Sequence, residues 1–382
     1  MSYIKTDTFI DIATQCSYDA KAIIAHIQEH INPSYNTNTT LINNRISNYR
    51  RKGLLPLDSG NFVSLGEVLK GSSTLFDSNG AIKQQWVKTD VPKQQQLEAF
   101  EAAINSLTSK VTPAQPTTFT PTTTSSDLLT IYPIGDAHVG MLAWAPETGA
   151  DSDLSTIEHS LTTAMSLLVN QASATDEAFI IDVGDWFHSD NMQNRTSKGG
   201  NALDVDGRYA KVLDIGLYLA TKLIDTALTK HQVVHWRSAI GNHNDHSALM
   251  MNKFVKAYYR NEPKVVVHDS PAMFYYHQFG ANLIGITHGH TAKADKLGEI
   301  MSVDKADVWS DTKFRYWYTG HIHHQSVKEY PSCLVETFRT LASKDAWHAS
   351  MGYRSGQDMK CITLHRDYGE ISRNTVNLLQ FS

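Results

Sequence analysis

The chain has 382 residues, more than one average domain holds, so two domains are expected. Hydrophobic residues at 41%, charged residues at 19% and a formal net charge of −5 describe a soluble globular protein with no overall basic coat for nucleic acid. No run approaches the roughly eighteen apolar residues of a membrane span, and MSYIKTDTFIDIATQC lacks the basic head and apolar run of a secretory signal, so a cytoplasmic location is expected. Three cysteines, Cys16, Cys333 and Cys361, lie far apart, which excludes a disulfide framework and a cysteine-based zinc site. Against them stand 18 histidines, so any metal is expected to be bound through imidazole and carboxylate.

In chain order, Ser17 is placed to cap a helix carrying Ala20, Ile23, Ile24, Ile27 and Ile31 at the 3.6-residue period. A second helix opens near Thr39 or Thr40, presents Ile42, Ile46 and Tyr49 on one face, and ends at Gly53. LLPL–DSGN–FVSL reads as a short hairpin turning at Asp58–Asn61, and Ser64 with Glu67 has the capping-box spacing that opens another short helix. Leu97, Phe100, Ile104 and Leu107 mark a further helix over 92–109. This order predicts a small, mainly helical, winged-helix-like domain over 1–110. Arg45, Arg50, Arg51 and Lys52 are its candidate contacts to DNA phosphates, in a stretch with no acidic residue between Glu29 and Asp58. A plainer account is that the helix dipole favours cations at a C-terminus.

Residues 111–126, VTPAQPTTFTPTTTSS, are almost all Thr, Pro, Ser and Ala, which predicts an extended, stiff linker. Beyond it, over 127–382, apolar β-branched runs end in polar residues: LLTIYPIGD, AFIIDVGD, VVHWRSAIGN, ANLIGITHG and YWYTGH. Helical patterns at 153–171, 204–229 and 246–260 lie between them, so an α/β domain with buried strands is expected. Ligands in such folds gather at the carboxyl ends of strands.

Five strand ends finish in metal-ligand residues: Asp136-Ala137-His138, Gly184-Asp185, Gly241-Asn242-His243, His288, and Gly320-His321-Ile322-His323. Any one of these is common by chance, but all five directly after strands point to a metal site. In this order they resemble the signature blocks of the calcineurin-like metallophosphoesterases, written DxH, GDxx, GNH(D/E), H and GHxH. The resemblance covers residues 128–365. It implies a four-layer αββα sandwich of two mixed sheets, with two divalent ions on loops at one edge. It also implies that Asp136, His138, Asp185 and His323 hold one ion and that Asp185, Asn242, His288 and His321 hold the other. The donor mix suits manganese first, with iron, zinc or nickel as alternatives. The implied chemistry is attack of a metal-bridging hydroxide on phosphorus, with His243 stabilising charge or protonating the leaving oxygen.

One position departs from the pattern. Asn244 stands where the family usually has an acidic residue that orients the GNH histidine, and Asp245 follows it. Either Asp245 reaches that ring or Asn244 holds it by a neutral hydrogen bond.

The block Gly184-Asp185-Trp186-Phe187-His188 is similar to the GDxFH block of SbcD-type DNA-repair nucleases, which makes His188 a candidate substrate contact. DVDGRYAKV and RYWYTGHIHH resemble stretches of phosphoesterases encoded by tailed bacteriophages, implying host cytoplasm. In 336–356, Arg339, Lys344, His348 and Arg354 follow the last ligand strand, and Arg339 is the candidate phosphate contact. His231, His235, His268, His277 and His365 lie on or near strands without a partner pattern. The expected function is a metal-dependent DNA phosphodiesterase. Its rivals are a phosphomonoesterase, protein phosphatase or small-nucleotide phosphodiesterase, and an inactive binding scaffold. A homodimer stays open, and no membrane partner is expected.

Overall fold

The computed structural model describes residues 4–51, 54–55, 68–76, 82–90, 111–196, 199–352 and 354–381. The chain forms two compact units, Met1–Ala102 and Ala103–Ser382.

In the first unit, helices α1 (Thr6–Gln15), α2 (Ala20–His30) and α3 (Thr39–Arg51) bury Phe9, Ile12, Ile23, Ile27, Ile42 and Ile46 against one another. The α2 cap is Asp19, whose carboxylate accepts from the Ala22 N–H at 2.8 Å. Ser17, the expected cap, sits instead in the preceding turn at φ 49°. Asn38 caps α3 through the Leu41 N–H at 2.9 Å. Strands β1 (Val68–Phe76) and β2 (Ile82–Asp90) pair antiparallel where the Ser64–Glu67 spacing predicts a helix. The run Gly71-Ser72-Ser73-Thr74 is poor helix material, and the facing IKQQWVKTD favours a strand. Gly53, the Asp58–Asn61 turn and the helix expected over 92–109 lie outside the described residues.

The second unit continues with β3 (Ser125–Ile134), α4 (Ala145–Thr148), α5 (Leu154–Gln171), β4 (Thr175–Asp182), α6 (Tyr209–Leu228) and β5 (Val233–Ser238). Then come α7 (Asp245–Tyr258), β6 (Val265–Val267), β7 (Tyr275–Phe279), β8 (Asn282–Ile286), α8 (Leu297–Asp304) and β9 (Phe314–Thr319). It closes with β10 (Ser326–Glu329), β11 (Leu334–Thr337), α9 (Ala346–Ser350), β12 (Asp358–His365) and β13 (Gly369–Asn377). A six-stranded sheet runs β13-β12-β3-β4-β5-β6, and a five-stranded sheet runs β10-β11-β9-β8-β7. Strands β3 to β6 are parallel, as are β8, β9 and β11.

Alternate strand residues explain the layering. Leu129, Ile131, Phe179 and Ile181 of the first sheet meet Ile284, Ile286, Tyr316 and Tyr318 of the second in one apolar layer. Their neighbours Tyr132, Ile134, Ala178, Ile180 and Trp236 point the other way, onto Leu161, Leu168, Leu219, Leu223 and Met251 of α5, α6 and α7. On the far side Leu283 and Trp317 pack on Leu297 and Met301 of α8. The result is helices, sheet, sheet and helix, the expected four-layer αββα sandwich.

The Thr/Pro stretch is extended but held. The Ala114 N–H donates to the Tyr258 carbonyl at 2.8 Å, Arg260 donates to the Val111 carbonyl at 3.0 Å, and Lys264 Nζ donates to Phe119 O and Thr120 Oγ1, each at 2.7 Å. A segment that cannot bury a core is thus fixed through its carbonyls by two cations. No helix among the described residues is long and apolar enough to cross a membrane.

Candidate metal centre

All five predicted blocks follow the carboxyl ends of parallel strands, β3, β4 and β5 in one sheet and β8 and β9 in the other, so their side chains converge at one edge of the sandwich. Asp136, His138 and His323 bring one ligand atom each within 4.8 Å of one another, and Asp185, His288 and His321 do the same. His138 Nε2 and His323 Nε2 are 3.1 Å apart, and His323 Nε2 is 3.6 Å from Asp136 Oδ1. His288 Nε2 is 3.0 Å from Asp185 Oδ2 and 3.1 Å from Asn242 Oδ1.

The backbone is bent to achieve this. His138, Asp185, His321 and His323 have φ of 44°, 55°, 75° and 58°, a left-handed conformation unfavourable for residues with a Cβ. Each costs about 1–3 kcal/mol and persists where surrounding structure imposes it, most often at functional sites. Space is made as well. Gly184 has φ +105°, and a Cβ there would lie 2.6 Å from His288 Nδ1. A Cβ at Gly241 would collide with Asp185 Oδ1. The glycines of the GD and GN blocks therefore let ligands approach the backbone.

Donor chemistry fits divalent ions. The Nδ1–H of His288 donates to the Val183 carbonyl at 3.0 Å, so its Nε2 lone pair faces two oxygen acceptors. Three acceptors around one point require a cation or a proton. Burial works against the charged form of His288, yet Asp185 and Asp136 outweigh it and raise its pKa to about 9. Burial likewise pushes Asp185 up, but His288 outweighs it and holds the carboxyl well below its usual range. Asp136 is pushed by burial up to about 7, against the pull of His288. Burial, then the neighbouring His243, holds His138 well below the usual histidine value. Burial and His348 push His323 down to about 3. These two imidazoles stay neutral, as ligands must.

His243 and the Asn244 departure resolve in an unexpected way. The His243 Nδ1–H donates to the backbone carbonyl of His188 at 2.9 Å, so neither Asn244 nor Asp245 orients that ring. The Asn244 Oδ1 instead accepts from the N–H groups of Asp185, at 3.2 Å, and Gly241, at 3.1 Å, tying the GD and GN loops together. Asp245 groups with Asp190 and His246 at the start of α7. The His243 N–H donates to Asp185 Oδ1 at 2.8 Å.

The remaining candidates divide between the centre and other partners. His188 is 1% exposed, with Nδ1 at 3.2 Å from His138 Nδ1 and its ring stacked on His243 at 5.5 Å. Its ligand atom lies within 4.8 Å of those of His138 and His243, so it belongs to the centre as a buried neighbour of two site histidines. Arg339 sits beside the centre, since neighbouring Thr340 donates from Oγ1 to the Asp136 carbonyl at 2.8 Å, but its guanidinium pairs with Asp358 at 2.5 Å. In the N-terminal unit, Arg45 stacks over Phe9 at 4.1 Å and donates to the Ile4 carbonyl at 2.6 Å, so its charge serves its own bundle. Arg50 lies over the Tyr18 ring at 4.9 Å, Arg51 ends α3, and Lys52 is outside the described residues.

One cluster escaped the sequence reading. His235 and His268 stack at 5.2 Å with Nδ1 to Nε2 at 2.9 Å, and His277 lies 5.3 Å from His235 across the two sheets. Glu177 flanks His235 at 3.4 Å. Their separation in sequence left no spacing signal.

No family model and no curated protein sequence matches the chain. Solved structures with a similar fold include a dimetal phosphatase from Danio rerio, 8% identical over 65% of this chain and 99% of that one, at a TM-score of 0.36. A novel archaeal phosphodiesterase is 11% identical over 65% and 99% of the two chains, at 0.32. A predicted phosphoesterase from Streptococcus pneumoniae is 12% identical over 65% and 98%, at 0.27. Likeness this distant assigns no residue and no activity. On its own geometry, the chain has the four-layer αββα sandwich and the pair of Asp/His clusters at one edge that the metallophosphoesterase resemblance implies.

Proposed function

We propose that the C-terminal unit is a phosphodiester hydrolase that uses two divalent metal ions, manganese first, and that its substrate is DNA. The observation that carries the reading is the convergence of two Asp/His clusters, each within 4.8 Å, from five strand ends. Asp136, His138, Asp185 and His323 would hold one ion, and Asp185, Asn242, His288 and His321 the other. When bound, such a pair supplies Lewis-acid polarisation of a phosphoryl oxygen and an activated water.

The chain's own residues do the rest. His243 commits Nδ1–H to the His188 carbonyl, which turns Nε2 outward, and as the imidazolium the ring would donate from Nε2–H to a phosphoryl or leaving oxygen. Asp185 Oδ1 fixes the His243 backbone, so ligand and catalytic group are set by one carboxylate.

The test incubates manganese-loaded full-length protein with labelled single- and double-stranded DNA, beside bis- and mono-p-nitrophenyl phosphate. Cleavage of DNA and of the diester is expected. Cleavage of the monoester alone overturns the substrate assignment.

A further inference from the structure

Three imidazoles of the centre, His138 and His288 buried and His323 partly so, must each hold one ring plane. His138 has His188 at Nδ1, 3.2 Å away, and His288 has the Val183 carbonyl at 3.0 Å. Among the described residues, His323 has no hydrogen-bond partner at Nδ1. A packed ring takes that place. His348 lies against His323 with centroids 4.6 Å apart and planes 23° from parallel.

His348 is itself locked by one carboxylate oxygen. Asp345 Oδ1 accepts from the His348 backbone N–H at 2.8 Å and from its Nδ1 at 2.7 Å, which fixes the proton on Nδ1. Asp345 is 6% exposed, so water competes little for that contact. Both residues belong to α9 and the residue before it, in the segment that follows the last ligand strand.

We propose that Asp345 and His348 are a positioning pair: the carboxylate fixes the His348 ring, and that ring fixes the plane in which His323 presents Nε2 beside His138 and Asp136. The pair rests on the dinuclear reading and deepens it. Partners beyond the ligands commonly change metal affinity by about ten- to a hundredfold when removed.

The test is manganese titration of metal-stripped full-length protein, followed by calorimetry and by the electron spin resonance of the bound ion. Wild type is expected to take two ions. His348→Ala and Asp345→Ala should weaken one of the two by about ten- to a hundredfold and leave the other unchanged. His348→Phe keeps a flat ring on His323 and should recover most of the loss; it also carries the test if the alanine variant melts early. An alanine variant that takes both ions like wild type overturns the pair, as does a phenylalanine variant as weak as the alanine one. A wild-type chain that takes no ion fails differently, because it removes the centre itself.

Discussion

Asp185→Ala is the most searching perturbation of the centre. The two oxygens of Asp185 face different partners, Oδ1 the His243 N–H at 2.8 Å and Oδ2 the His288 Nε2 at 3.0 Å, and in the proposed centre this carboxylate would be shared by both ions. Without metal, its loss breaks a buried carboxylate–imidazole pair, at a cost on the order of 3 kcal/mol. With metal the contrast grows. An ion at a hundredfold excess over its dissociation constant stabilises the native state by about 2.7 kcal/mol, so two contribute roughly 5 kcal/mol. In a unit of this size each kcal/mol moves the melting temperature by about 2–4 °C, giving a shift of roughly 10–20 °C in wild type. Thermal melts with chelator and with manganese read this directly. Asp185→Ala should show almost no metal-dependent shift, while His243→Ala should keep the full shift and lose turnover by about a hundredfold or more. An alanine variant at 185 that still gains the wild-type shift refutes the bridging assignment.

Two further outcomes are expected. Gly241→Ala drives a methyl into Asp185 Oδ1 and should weaken manganese binding, measured by metal content after dialysis, while costing about 1–3 kcal/mol in the metal-free melt; unchanged content argues against the close approach. Burial, then neighbouring His235, pushes His268 down to about 3, and burial pushes His277 down to about 4. Because these folded values lie below the unfolded value of about 6.5, their neutral pairing stabilises fully above that pH and is lost as pH falls through 6.5 toward 3–4. His277→Phe should flatten the slope of unfolding free energy against pH in that window by about 1.4 kcal/mol per pH unit, whereas an unchanged slope assigns the acid sensitivity elsewhere. Glu177 beside His235 and Arg237, which donates to the His268 carbonyl, face the same cluster and stay unaltered in that comparison.

The residues that converge at the sandwich edge were legible because each is announced locally: an apolar run ends, a glycine turns the chain, and an Asp or His follows. The sandwich was legible through the same runs. What sets the His243 ring was not, because a backbone carbonyl, that of His188, leaves no residue-type signal. The inter-sheet histidines His235, His268 and His277 escaped for a related reason, since contact across two sheets has no sequence period. Composition reports the charge of Arg45 but not which way it points; its guanidinium lies over the Phe9 ring. The strand at 68–76 replaced an expected helix because a cap pattern says where a helix can begin, not whether the following residues sustain one.

The two sheets supply the centre jointly. One cluster joins Asp136 and His138, after β3, to His323, after β9; the other joins Asp185, after β4, to His288 and His321, after β8 and β9. An ion held between His138 and His323 ties together residues 185 apart in sequence. Each ion would therefore act as a cross-link across the sandwich, closing a long loop in the way a disulfide does, in a chain whose Cys16, Cys333 and Cys361 are all free thiols. Stripping the metal should then release one seam of the molecule first, so that hydrogen exchange quickens at the ends of β3, β4, β8 and β9 before it does elsewhere in either sheet.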